Sequence, residues 1–182
     1  MDCVYIEHAE AGAQVAEHLK SVGCEYYIFV GTTEDKKYLG FAERMKEADP
    51  YFEQKLTLIE TKNSREMEGI LKAHFDTHPG KTGIFAYNDR RAVQVHGILQ
   101  KLGISMPGRA ALVGFDNTYT CEYLYPALSS VSQPNREMAE EAVNILIKNI
   151  EQPDGRERVD HPMRAQVIVR ESSEISEKER TK

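Results

Sequence analysis

Between Tyr26 and Val30 the chain sets five apolar or aromatic side chains in a row, YYIFV. A strand with one face in water alternates polar and apolar residues, so an unbroken run belongs where both faces are covered. Such a strand sits inside a parallel sheet flanked by helices, and each parallel neighbour needs a crossover of roughly a dozen residues or more. The sequence supplies the crossovers. Val4-Tyr5-Ile6 reads as a short strand and Ala11 to Val22 as a helix, with Val15, Ala16 and Leu19 on one face and Gly23 as its stop. The cycle then repeats: helix from Lys36 to Ala48, strand from Leu56 to Ile59, helix from Met67 to Phe75, strand from Gly83 to Tyr87, helix from Asp89 to Leu102, strand from Ala111 to Phe115. The fold class is therefore α/β, a mostly parallel sheet flanked by helices. Ligands of such sheets bind beyond the carboxyl ends of the strands, which directs attention to the residues after Val30, Ile59, Tyr87 and Phe115.

After Asp116 the pattern changes. Residues 117 to 128 read as loop, Ser129 to Ser132 as a short extended segment, and Pro134 as a break. Asn135 is placed to cap a helix running to about Glu151. Met138, Ala139, Ala142, Val143, Ile145, Leu146, Ile147 and Ile150 cover more than a stripe of that helix, so it requires a broad hydrophobic partner. Val167 to Val169 forms a last strand. From Glu171 onward ESSEISEKERTK is polar and charged, the composition of a disordered tail.

With 182 residues, 41% of them hydrophobic, the chain suits one α/β unit or two small lobes. A net charge of -6 argues against DNA contact by this surface, since phosphate neutralisation needs clustered Lys and Arg. No apolar run is long enough to cross a bilayer, so no membrane partner is expected. The start, MDCVYIEHAEAG, lacks the basic and apolar regions of a signal peptide. Cys3, Cys24 and Cys121 are odd in number and lack CxxC spacing, which fits reduced thiols and a cytoplasmic location.

Few motifs carry chemistry. Gly80-Lys81-Thr82 imitates the end of a phosphate-binding loop, but Phe75 stands where that motif needs its first glycine. The order is also inverted, with a helix before and a strand after. His74 and His78 are four apart, yet Pro79 follows and no third ligand completes a metal set. No nucleophile–base set and no cofactor fingerprint is present, so neither an enzyme nor a cofactor is expected. Asp89 follows a buried strand and opens a helix. Two roles stay open for it: capping that helix, or accepting hydrogen bonds from neighbouring ligand hydroxyls.

Several segments line up in order with one family. TGIFAYNDRRAVQVHGILQKLGISMPGRAALVGFDN resembles the effector-binding domain of the lactose/galactose repressor (LacI/GalR) family of bacterial transcription regulators. PALSSVSQPNREMAEEAVNILI resembles that family's P-x-L-T-S-V segment and following helix, while AGAQVAEHLKSVGCEYYIFVG and YLGFAERMK resemble its first helix–strand unit and R-x-x-G-F segment. The resemblance covers nearly all of residues 4 to 172 and implies a type I periplasmic-binding-protein-like fold, two α/β lobes around a ligand cleft. It implies a sugar or related small polar metabolite as effector, a homodimer, and DNA contact through a separate head domain, as in a repressor. By the same likeness Asp89 is the pocket carboxylate, and Lys37 stands where the family has a ligand-contacting Arg. Gln133 matches a polar pocket-edge position, and Asn63 lies near a position often aromatic in the family. Asp116 is assigned to holding its loop. A sugar-binding protein of a transport system is the alternative.

The same likeness divides the chain. Residues 1–172 form a partial effector-binding and dimerisation domain, with 4–125 mostly second lobe, 135–151 a helix of the first lobe, 165–170 a closing strand and 173–182 a polar tail. The opening of the first lobe and any DNA-binding head have no counterpart here, so a fragment of a longer regulator or a shortened reading frame is expected. Such a chain should associate through apolar surface and bind effector weakly or not at all by itself.

Overall fold

The computed structural model describes residues 2–151 and 160–174. In chain order they form β1 (Cys3–Ile6), α1 (His8–Ser21), β2 (Tyr26–Val30), α2 (Lys36–Ala48), β3 (Leu56–Ile59), α3 (Ser64–Thr77), β4 (Thr82–Ala86), α4 (Asp89–Lys101), β5 (Ala110–Phe115), α5 (Thr120–Tyr123), β6 (Ser129–Ser132), α6 (Asn135–Glu151), β7 (Asp160–Met163) and β8 (Gln166–Ile168). The main sheet has six strands in the order β3-β2-β4-β5-β6-β8. All its pairings are parallel except that of β8 with β6.

The run YYIFV behaves as its composition demands. Tyr27 and Phe29 enter one core with Val15, Leu19, Phe41 and Met45, whereas Ile28 and Val30 enter a second core with Met67, Leu71, Val95 and Leu99. Successive side chains of a strand point to opposite faces, so α1 and α2 cover one face and α3 and α4 the other. The first layer is unusually close. A Cβ on Gly12 would lie 2.0 Å from the Lys37 carbonyl oxygen, and one on Gly40 would lie 1.9 Å from that of Ala9. Only glycine permits this approach of α1 to α2, and it brings the start of α2 over the sheet's carboxyl edge.

Three expectations need correction. First, β1 does not join the main sheet. It pairs in parallel with β7, Cys3 opposite Asp160, in a separate two-stranded sheet against which α6 rests. Secondly, Asn135 is the first residue of α6 rather than its cap; the Pro134 carbonyl accepts the Met138 N–H at 2.9 Å. Thirdly, the chain beyond Glu171 starts as structure. Ser172 and Ser173 are fully buried. The Ser172 hydroxyl donates to the Leu112 carbonyl and accepts the Ser129 N–H, and its own carbonyl accepts the Leu112 N–H. Ser173 bonds the Ser129 hydroxyl and the His18 ring, each at 2.7 Å. The remainder of the expected tail, 175–182, lies outside the described residues. The broad apolar face of α6 is largely uncovered: Ile145 is buried, but Val143, Leu146, Ile147 and Ile150 are 48–71% exposed. No helix among the described residues is long and apolar enough to cross a membrane.

Candidate functional site

Strand order reverses between β2 and β4: from β2 the chain moves outward to β3, then returns to place β4 on the opposite side. Crevices at the carboxyl edge of such a switch point are where ligands of open α/β sheets bind. Lys37 crosses this point. Its backbone N–H is accepted by Asp35, the cap of α2, at 2.8 Å, and its ammonium donates to the Tyr87 carbonyl beyond β4 at 3.0 Å. The same Nζ stands 4.2 Å from the centre of the Phe115 ring, a cation–π contact, while His8 stacks parallel to that ring at 5.9 Å.

Asp116 follows directly on β5. Its φ of 105° lies in the left-handed region, where a residue with a side chain is strained and must be held by its surroundings. The hold is visible: its N–H bonds the Val131 carbonyl, and the Gln133 amide donates to Oδ1 at 2.9 Å. Among the described residues Oδ2 receives no donor. Burial pushes the Asp116 carboxyl above the ordinary carboxylate value, and the positive Lys37 opposes that rise. Lys37 and Gln133 thus lie in one cluster with Asp116, His8, Tyr87 and Phe115.

Asp89 and Asn63 fall outside it. Asp89 is 2% exposed, and its carboxylate is occupied by the protein. The Ser130 hydroxyl donates to Oδ1 at 2.6 Å, while the Thr118 N–H and the Cys121 thiol donate to Oδ2 at 2.6 and 3.2 Å. In this arrangement Asp89 ties the loop after β5 to the start of α4 and to β6. Burial and the adjoining Asp89 carboxylate push the Cys121 thiol up to about 11, so it is an inert donor rather than a nucleophile. Asn63 accepts the Arg65 and Glu66 N–H groups and caps α3, a helix-starting role with no part in the cluster. The sequence does carry a signal for Asp116, which stands immediately beyond a strand named by the carboxyl-end rule.

At the opposite edge of the sheet polar groups are paired among themselves. Thr57 and Thr82 hydroxyls meet the two ring nitrogens of His74 at 2.9 and 3.1 Å, so neither nitrogen is left for a metal. Burial, with help from His78 and Arg109, lowers the His74 pKa to about 4. Arg109 donates to the carbonyls of Phe75, His78 and Gly80, which fixes the His78–Gly80 connector as a turn into β4. No group of three or more metal-ligating side chains occurs among the described residues.

Comparison with known proteins agrees with this architecture. Residues 16–173 match the family model of the periplasmic binding protein-like domain. The HTH-type transcriptional regulator DegA of Bacillus subtilis is 32% identical over 146 residues, covering 78% of this chain and 43% of DegA. The ribose operon repressor of Halalkalibacterium halodurans is 29% identical over 175 residues, 92% of this chain and 51% of the repressor. The chain spans about half the length of these curated relatives. Among solved structures, a LacI family transcriptional regulator from Enterococcus faecium with bound ribose superimposes with a TM-score of 0.79 at 23% identity, over 96% of this chain and 65% of that one. The corresponding figures for a LacI family regulator from Enterococcus faecalis, also with bound ribose, are 0.74, 26%, 96% and 64%. The chain belongs to the periplasmic binding protein-like domain family.

Proposed function

We propose that this chain is the effector-sensing and dimerising portion of a cytoplasmic transcription regulator, with a sugar or related polar metabolite as effector. The observation that carries this reading is the Lys37–Asp116–Gln133 cluster at the switch point. It offers an ammonium, a carboxylate with one oxygen unspent and an amide, flanked by the half-buried rings of His8 and Tyr87. Neighbouring hydroxyls of a sugar need such a mixture of charged acceptors and donors beside an apolar wall. The relatives named after ribose binding and ribose regulation support a sugar. DNA contact then belongs to a head outside these residues, and chemistry on the effector is no part of the role. Homodimerisation is supported by the uncovered apolar face of α6, whose burial would remove several large side chains from water.

Effector control requires that the ligand bind one arrangement of the regulator better than another. A single wall of a cleft cannot enclose a sugar, so affinity in this chain is weak and is best read at high ligand concentration. In a ¹⁵N–¹H NMR titration with ribose, the amides of Lys37, Tyr87, Asp116 and Gln133 shift together, and Asp116→Asn abolishes the response. Shifts confined to other surfaces, or none at saturating ribose, overturn the sugar-binding reading. Tight one-to-one binding in calorimetry overturns the single-wall reading.

A further inference from the structure

Beside the cluster, on the face covered by α3 and α4, lies a pocket of about 200 Å³ lined by Lys62, Tyr87, Asn88, Arg90, Arg91 and Gln94. It brings three cationic side chains together and includes no carboxylate, in a chain whose net charge is -6. Asp89, between Asn88 and Arg90 in sequence, turns its carboxylate away to Thr118, Ser130 and Cys121. Arg91 is buried and already paired, donating to Gln94 and to the Thr61 carbonyl, so it forms the wall and fixes the loop that carries Lys62. Lys62 and Arg90 are exposed, and neither takes part in an ion pair among the described residues. Their charge is therefore unspent, and like charges held together repel until a counter-anion joins them.

Tyr87 links this pocket to the cluster, since its carbonyl accepts Lys37 while the residue lines the basic pocket. We propose that Lys62 and Arg90 hold an oxyanion, a phosphate ester in the first instance, carried by the same effector whose hydroxyls meet Asp116 and Gln133. The effector class is thus an anionic sugar rather than a neutral one, an inference that rests on the sugar reading of the neighbouring cluster. A guanidinium and an ammonium are complementary to such a group: the first donates through a planar fork, the second as a compact point charge.

The test uses this chain and two probes. Inorganic phosphate, titrated at constant ionic strength against a chloride control, gives saturable amide shifts at Lys62, Asn88, Arg90 and Gln94. The double variant Lys62→Gln/Arg90→Gln, with circular dichroism unchanged, weakens that binding by roughly tenfold. No saturation, or the same response to chloride, overturns the anion site. Ribose 5-phosphate is then compared with ribose. The ester shifts both groups of amides and binds roughly tenfold tighter than ribose, and the double variant erases this margin while leaving ribose binding unchanged. An ester no tighter than ribose, with phosphate alone saturating, overturns the assignment of the anion to the effector. Saturable phosphate with no ribose response at Lys37, Asp116 or Gln133 sinks the sugar reading and leaves the anion site standing.

Discussion

Asp89 and Asp116 leave neighbouring parallel strands at the same edge of the sheet, and the two regions use the same functional group in opposite ways. Around Asp89 three protein donors converge on the carboxylate, which is sealed from water. Around Asp116 one amide reaches one oxygen, the other oxygen is unspent, and the backbone is held at a left-handed φ. A buried polar group fully paired within the protein builds structure, whereas capacity left over is what a ligand can use. The amino edge repeats the first case with His74, Arg109 and the Ser129–Ser172–Ser173 network, and the basic pocket repeats the second.

The largest effect is expected where paired groups lose partners together. Ending the chain after Val169 removes Ser172 and Ser173 and leaves the Leu112 and Ser129 N–H groups buried without acceptors. Each such loss costs about 1–3 kcal/mol. Together the two losses come to about 2–6 kcal/mol, a large share of an ordinary domain's stability of about 5–15 kcal/mol. The truncated chain should unfold at a much lower urea concentration than the parent. A transition unchanged from the parent would mean that this edge of the sheet does not depend on the terminal segment.

Next comes Asp89→Ala. It strands the Thr118 N–H and the Ser130 hydroxyl, each donating at 2.6 Å, and opens a space beside Gly114. The expected loss is about 3 kcal/mol in urea denaturation. Asp89→Asn should lose less, because one amide oxygen still accepts. A loss below about 0.5 kcal/mol would erase the distinction between the two carboxylates.

His74 sharpens the comparison through pH. Its folded pKa of about 4 lies below the ordinary histidine value of 6.5, so the unfolded chain binds the proton more readily. Its contribution is fully present above pH 6.5 and is lost as pH falls toward 4, by up to about 3 kcal/mol. His18 and His96, also lowered by burial, act in the same direction. His74→Gln should flatten the stability profile in that window, and an unchanged slope would assign the loss to other groups.

Which of these features the sequence announces depends on the range of the interaction that makes them. YYIFV, the amphipathic helices and the strand-end rule are local signals, and they suffice to place the main sheet and its carboxyl edge. Strand β7, DHPM, has no local strand signature, because its pairing is with β1 at the other end of the chain. Ser172 and Ser173 read as solvent-loving for the same reason: their acceptors and donors come from β5, β6 and α1. The sequence assigns the pocket to Asp89 and the loop to Asp116, and it is the donors from Thr118, Cys121 and Ser130, invisible in the sequence, that favour the reverse.

The smallest change in stability is expected at Asp116. Asparagine tolerates left-handed backbone better than most residues, and its carbonyl oxygen can still accept the Gln133 amide. Burial raises the folded pKa of Asp116, so the folded state binds the proton more readily than the unfolded state. For an acid this sign means that the ionised group costs stability at neutral pH, and the cost fades as pH falls into the carboxyl range. Asp116→Asn should therefore be neutral, or more stable by up to about 0.5 kcal/mol at pH 7, with that advantage gone in acid. A loss above about 1 kcal/mol at pH 7 would show that the fold depends on the Asp116 carboxylate much as it does on that of Asp89. Absent that loss, a strained, half-buried carboxylate retained at a net cost to folding is intelligible as one kept for something that binds it.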